Sequence, residues 1–511
     1  MKKITLKLVA IALLAAMTLS FAACSRNNGN GSEGGSGGNG GDVGSGNGGG
    51  NTSVSGTLST DVYKGDVIYV GNTAATTGAL ANIGVPFNLG IEAAFAAYNA
   101  KGGFNGKTVA LKHYDDMGDS AQSVTLMEKL IHEDEVFAVV GNYGTYAVAA
   151  NIDILKENCV PMVYAAAGNN VLFNANATSD GDRCIFPVQP LNQAEGQMLV
   201  LRAFAPAWDG ETYLGGLGGT KVGVISSSDE ASQAMLAGIK AEAEKSGLTG
   251  IVYQNVTTDD YSAAASALQA AGCDVVILTV VGTPFISALT ALANVNYDKN
   301  VLTTYNNANA AVFNDESNAM TETGLNILSK MTVYAQAWLD VTSLDYYFNE
   351  ADAPLYKYYS MVVPQMLQKD EAGNVLGVPG YTESYWEVAK NIYNYVASTG
   401  RSDAFQMSYN SYALAGYIAG DMFCQALAEM QNQSKDLTRA NLVDILESKK
   451  FQVAMADMIS YQNGERAGVQ SFSLTVFYDT NTLTNDGKHV ASSMTVHPLT
   501  SMDEYRALIG K

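Results

Sequence analysis

Cations are scarce and unclustered in this chain, whose 511 residues carry 29 Lys+Arg against 50 Asp+Glu, a formal charge of −21. Nucleic-acid phosphate needs clustered Lys and Arg, so that class of partner is excluded. Histidine is scarcer still, with four, and the five cysteines are scattered without a C-x-x-C pair. That leaves little material for a zinc site. Charged residues make up 15% and hydrophobic ones 47%, which permits a globular core and excludes general disorder. Catalytic signatures are missing too. Gly102–Thr108 approaches a P-loop, but Lys101 stands where the first glycine belongs. The segment also leads into a strand instead of the helix N-terminus that would hold phosphate. His132-Glu133 lacks the second His four residues on, and Gly34–Gly38 fits G-x-S-x-G only inside a glycine-rich stretch with no strand-to-helix elbow. No nucleophile–base pair stands out. The expectation is a non-enzymatic protein with no metal and no cofactor.

What is present begins with an address. Met1–Lys7 is basic, and Leu8–Ala23 is apolar apart from Thr18 and Ser20. This run falls short of the ~20 residues a spanning helix needs and suits a signal-peptide core. Leu19-Ser20-Phe21-Ala22-Ala23-Cys24 resembles a bacterial lipobox, in which the Cys becomes the lipidated N-terminus; Phe21 stands where that pattern usually has Leu. Ser25–Gly56 is dominated by Gly, Asn and Ser and cannot bury enough surface to offset its conformational entropy. As a flexible coil it would average roughly 30 Å end to end. Residues 1–23 therefore read as a signal peptide, and 24–57 as lipidated Cys24 with its tether. The implied location is extracytoplasmic, on the outer face of a bacterial cell membrane and held there by lipid alone.

Beyond the tether, strand-like and helix-like segments alternate. Strands are expected at Asp66–Val70, Thr108–His113, Val136–Val140 and Pro161–Tyr164, with helices at Phe87–Ala100, Ala121–His132 and Val148–Glu157. The order repeats from Lys221, with strands at Val222–Ile225, Ile251–Gln254, Asp274–Thr279 and Val301–Thr304 and helices at Gln233–Lys245, Ser262–Ala271 and Pro284–Ala293. Such alternation implies parallel sheets covered on both faces. The fold class expected is α/β, with two doubly wound parallel-sheet lobes. Open parallel sheets bind ligands beyond the carboxyl ends of their strands, so the loops there are the candidate site.

These residues carry a family likeness. Tyr98–Lys107 (YNAKGGFNGK) followed by Tyr114-Asp115-Asp116 closely resembles the leucine/isoleucine/valine-binding protein family, extracytoplasmic solute receptors of ABC transporters with the type 1 periplasmic-binding-protein fold. Thr77-Gly78 with Gly84 and Gly90 resembles the family's first loop, and Val139–Gly141 and Val160–Val163 resemble its third and fourth strands. Met458–Gly464 resembles its final crossover loosely. The resemblance implies a three-crossing hinge near 188–192, 328–336 and 457–463. It divides the chain into a first lobe of 58–190 plus 331–460 and a second of 191–330 plus 461–511. The lobes would close on a small ligand in the manner of a Venus flytrap.

Carried over residue by residue, the resemblance makes Thr145 the hydroxyl that receives an amino-acid carboxylate, within Tyr143-Gly144-Thr145. Ala166 supplies main-chain contacts, Gly168 stands where the family has Thr, and Asn169 follows it. Thr77 and Ile83 fall in the first loop, the latter in place of an aromatic. Val281, Tyr305 and Asn306 line the second lobe, and Ala231 stands where a Tyr is frequent. The family's ammonium-binding acid falls near Tyr305-Asn306. An unpaired buried ammonium is costly, so either Asp229 or Glu230 serves or the ligand is not a typical α-amino acid. Each position also has a plain structural reading: Thr145 as a helix N-cap, Tyr305-Asn306 as a turn, Trp338 as hinge packing. A Cys159–Cys184 disulfide is conceivable in this compartment. Leu339–Gln406, rich in Tyr, exceeds the family length and reads as a helical elaboration of the first lobe or an added contact surface. The function expected is capture of a small polar solute, an amino acid or relative of branched-chain type, for an ABC permease. The alternative is a cell-surface sensor using the same cleft.

Overall fold

The structure, a computed structural model, describes residues 56–207, 215–339 and 385–510, apart from 309, 316, 318, 409, 485 and 486. The signal peptide, Cys24, nearly all of the tether and most of the Tyr-rich segment lie outside the described residues. The first sheet contains β1 (Val67–Ala74), β2 (Thr108–Asp115), β3 (Ala138–Val140), β4 (Met162–Val163) and β5 (Ile185–Phe186). Its order is β2-β1-β3-β4-β5, all parallel. The helices between them are α1 (Ala81–Ala100), α2 (Ser120–His132) and α3 (Thr145–Glu157). Ile68, Val70, Val139, Val140, Met162 and Phe186 are fully or almost fully buried, as strands covered on both faces must be.

α4 (Asn192–Phe204) opens the second lobe and leads to β6 (Val222–Ser227), α5 (Glu230–Lys245), β7 (Ile251–Val256), α6 (Ser262–Ala271), β8 (Val275–Leu278), α7 (Thr283–Asn294) and β9 (Asn300–Thr303). After α8 (Glu322–Lys330), β10 (Thr332–Ala337) pairs parallel to β9. The boundary expected at 330/331 thus precedes a strand that belongs to the second sheet. Pairing with β9 continues the parallel register, and Val333 and Ala335 enter the second core.

The chain then returns to the first core. Val388, Ile392 and Val396 of α9 (Tyr385–Ser398) are buried there. α10 (Ser411–Asn432) crosses α1 so closely that a Cβ at Gly90 would lie 1.9 Å from the Ala413 carbonyl, and one at Gly416 1.9 Å from that of Phe87. Any side chain there would drive the helices apart. α11 (Arg439–Ser448) and the small pair β11 (Lys450–Gln452) and β12 (Met458–Ser460) follow. β13 (Ser471–Asp479) and β14 (Ala491–Ser501) then complete the second sheet as antiparallel edge strands, giving the order β14-β13-β10-β9-β8-β6-β7. α12 (Met502–Leu508) closes the chain against α4: Arg202, fully buried, donates to the carbonyls of Phe472 and Ser473 and to Tyr505 Oη. Cys159 and Cys184 are buried free thiols, not the disulfide considered for them, and Cys159 Sγ donates to the Lys156 carbonyl at 3.6 Å. Trp338 is buried with the first core.

Candidate functional site

The loops after β3 and β4 are tied into one surface. Tyr143 bridges to Ala166, the Ala166 amide donates to the Asn142 carbonyl at 2.9 Å, and the Gly144 amide donates to the Ala166 carbonyl at 3.4 Å. Gly144 is the N-cap of α3 at φ 97°, a conformation that strains any other residue. It brings no side chain to the first-turn amides, which have no partner within the helix. Thr145 is the exposed first residue of α3, so the N-cap role considered for it falls to Gly144. A hydroxyl beside open helix amides and the positive end of the helix dipole is a place for an anion. Tyr143 is half-buried, its ring 5.6 Å from Phe87 and 6.5 Å from Tyr412.

The first loop is held from below. Asp115 accepts from Thr77 Oγ1 (2.5 Å) and from the amides of Thr76 (2.9 Å), Met117 (3.0 Å) and Thr77 (3.4 Å). Burial raises its pKa, but the Thr77 hydroxyl and these amides outweigh burial and hold the carboxyl below its ordinary value. Thr77 is exposed but already engaged. Ile83, by contrast, is buried in the first core, not open at the loop surface.

Two lobes meet at Gly168. A side-chain carbon there would lie 2.9 Å from Asn192 Oδ1 and 3.0 Å from Tyr305 Oη, so the Tyr305 phenol and Asn192 occupy the room that a Thr would need. The Asn192 amide donates to the Gly168 carbonyl at 2.8 Å, and Tyr305 Oη donates to the Pro190 carbonyl at 3.2 Å. Tyr305 is buried and forms part of the floor between the lobes. Asn169 is 3% exposed, and both atoms of its amide lack a protein partner.

Loops after β8 and β9 are joined by Asn307, which donates to the Val280 carbonyl (2.7 Å) and Thr303 Oγ1 (2.8 Å) and accepts from the Gly282 amide (3.1 Å). Val281 is half-buried on this loop. Asn306, also half-buried, folds back on Thr304 Oγ1 at 3.1 Å, in keeping with turn formation. Asp229 caps α5 through the Ser232 amide at 2.9 Å, so its charge is engaged, and Glu230 is exposed in the first turn. Ala231 is half-buried.

Glu195 went unnoticed in the sequence. It is fully buried on α4, and its carboxyl accepts from the Tyr305 amide at 2.6 Å and from Thr304 Oγ1 at 2.8 Å. Burial pushes its pKa up to about 8 against the lowering effect of those two bonds. One signal was available: Glu195 lies on the helical stripe of Leu191, Met198 and Leu199, all buried. Among the described residues no group of three His, Cys, Asp or Glu is placed to hold a metal. A surface cavity of about 600 Å³ lies at the opposite, amino end of the first sheet, beside Tyr63, Lys64 and Arg439, and shares no residue with these loops.

Two α/β sheets, the first all parallel and the second parallel apart from β13 and β14, belong to lobes that meet where Gly168 faces Asn192 and Tyr305. The comparisons agree. The family described as "Periplasmic binding protein" matches residues 67–360, and the chain belongs to it. Members of this family are solute-binding proteins, not enzymes, and its setting is extracytoplasmic. The chain is 28% identical over 187 residues to the Leu/Ile/Val-binding protein homolog 3 of Brucella melitensis, covering 36% of this chain and 46% of that one. It is 24% identical over 180 residues to an amino acid binding protein of Pseudomonas aeruginosa, covering 35% and 44%. The matched region thus spans under half the length of these curated relatives. An ABC transporter substrate-binding protein from Sphaerobacter thermophilus shares the fold, with a TM-score of 0.56 at 15% identity over 85% of this chain and 98% of that one. Among the described residues no helix is long and apolar enough to cross a membrane.

Proposed function

We propose that this protein captures a small polar solute, an amino acid or a related compound, between its lobes and delivers it to an ABC permease. On this reading Thr145 and the first-turn amides of α3 receive a carboxylate, with Tyr143, Gly144, Ala166 and Asn169 around it and Tyr305 forming the floor. Thr77, Val281 and Asn306 stand at the rim, and Gly168 leaves space for Tyr305 where the family has Thr. The observation that carries the reading is the joined Tyr143–Ala166 surface ending in an uncapped helix N-terminus.

On this reading the first lobe takes 58–190 and the second 191–330 and 461–511, with β10, which pairs with β9, joined to the second. Cys24 anchors the protein by lipid, and the tether holds the binding domain off the membrane. Cys24→Ala should release the protein from the membrane fraction; unchanged association would defeat the anchor. A thermal-shift screen of amino acids, short peptides and organic acids tests the binding role, since a ligand of the folded state raises its melting temperature. A panel without any stabilising compound would count against it.

A further inference from the structure

Glu195 is buried where the chain first passes between lobes, and among the described residues no cation contacts its carboxyl. Its oxygens are engaged by two groups of one loop, the Thr304 hydroxyl and the Tyr305 amide. Thr304 Oγ1 in turn receives the Asn306 amide and Asn306 Nδ2, at 3.2 and 3.1 Å. Tyr305 carries its phenol across to Pro190 and Gly168 of the first lobe. One carboxyl therefore sets the backbone of the residue that makes the floor. Gln336 of β10 donates to the Glu195 backbone carbonyl at 3.3 Å, and its own side-chain oxygen lacks a partner.

We propose that Glu195 is a positioning residue whose buried carboxyl holds Thr304 and Tyr305 against the first lobe and so fixes the floor between the lobes. A carboxylate buried without a cation is costly, whereas a neutral acid avoids that cost and its two oxygens still accept from the Tyr305 amide and from the Thr304 hydroxyl, whose own oxygen is taken by Asn306. The surrounding elements supply no compensating charge. The loop after β9 brings the Tyr305 phenol and β4 leads to Tyr164, and burial raises both pKa values, so neither is ionised at neutral pH. β10 brings Gln336, which does not titrate. α5 meets α4 at Gly196 and Met235, and its Glu242 is paired with Arg506. Arg202, two turns along α4, is committed to Phe472, Ser473 and Tyr505.

Linkage gives the inference a signature independent of any ligand. A floor that opens hydrates Glu195 and returns it toward its ordinary value of 4.5, while the closed floor keeps the proton up to about pH 8. Opening therefore becomes easier as pH rises through that window, up to tenfold per unit, and levels off above it. Hydrogen exchange of the peptide spanning 303–308, corrected for intrinsic rates, measures this on the unliganded protein. The wild type should lose protection between pH 5 and 8. Glu195→Gln, which mimics the neutral acid, should stay protected with a flat profile. Glu195→Ala should be flat and at least tenfold less protected, provided it folds. A flat wild-type profile, or a Gln variant that loses protection, would overturn the inference and leave the solute-binding reading standing.

Discussion

The two lobes present different walls to each other. On the first, buried hydrogen-bonding atoms remain unengaged around the strand ends: Asn142 Nδ2, Tyr164 Oη and both amide atoms of Asn169, besides the uncapped amides of α3. On the second, Asn307 ties two loops together, Asp229 caps a helix and Glu195 is occupied by Thr304 and Tyr305. The first lobe keeps several unengaged atoms at its strand ends, while the second, apart from Gln336 Oε1, uses its polar groups there to hold its own shape. On the proposed reading, that difference gives the lobes unequal parts. A solute would dock on the first lobe, and the second would close over it.

The largest way to break this contrast is Gly144→Val. The new side chain would sit at φ 97° with its Cβ 2.5 Å from the Tyr146 ring, displacing the loop that presents the helix amides. Strain of this kind costs about 1–3 kcal/mol. Denaturant unfolding should show that loss, and titration should show no measurable ligand binding.

A pH series on stability is the next in size. Glu195 has a folded-state value near 8 against 4.5, so the folded protein retains a proton that the unfolded chain has released. Its contribution is present below 4.5 and declines as pH rises to 8. Urea unfolding of wild type and Glu195→Gln between pH 4.5 and 9 should diverge in that direction. Parallel curves would mean that Glu195 is ionised in the fold. The smallest effect is expected at the second lobe's rim: Asp229→Ala removes the cap of α5, lowering stability by about 1 kcal/mol with ligand affinity unchanged.

How much of this was legible in the sequence follows the range of the forces involved. The alternation of apolar runs and helical periods is local, and it located eight strands of the parallel arrangement and the helices between them. Helix starts were less visible: α1 begins at Ala81 and runs through Pro86, and α3 begins at Thr145, because buried small residues near the loops carry no periodic pattern. β13 and β14 escaped because edge pairing with β10 depends on partners far along the chain. The family likeness brought Tyr143, Gly144, Thr145 and Ala166 to one surface. It also put Ile83 among the ligand contacts, where the core claims it. Asp115 and Glu195 act through hydrogen bonds to distant loops, and nothing beside them in sequence announces those partners.

Thr145 carries the anchoring role proposed for the first lobe. Calorimetric titration of wild type, Thr145→Ala and Thr145→Ser with the strongest compound from the thermal-shift screen tests whether the first lobe anchors the solute. Loss of one charge-assisted hydrogen bond should weaken the alanine variant about ten- to a hundredfold. The serine variant should stay near wild type, and neither should shift the melting temperature of the free protein, because Thr145 caps nothing. Equal affinities in all three proteins would contradict the assignment of the anchoring role to the first lobe.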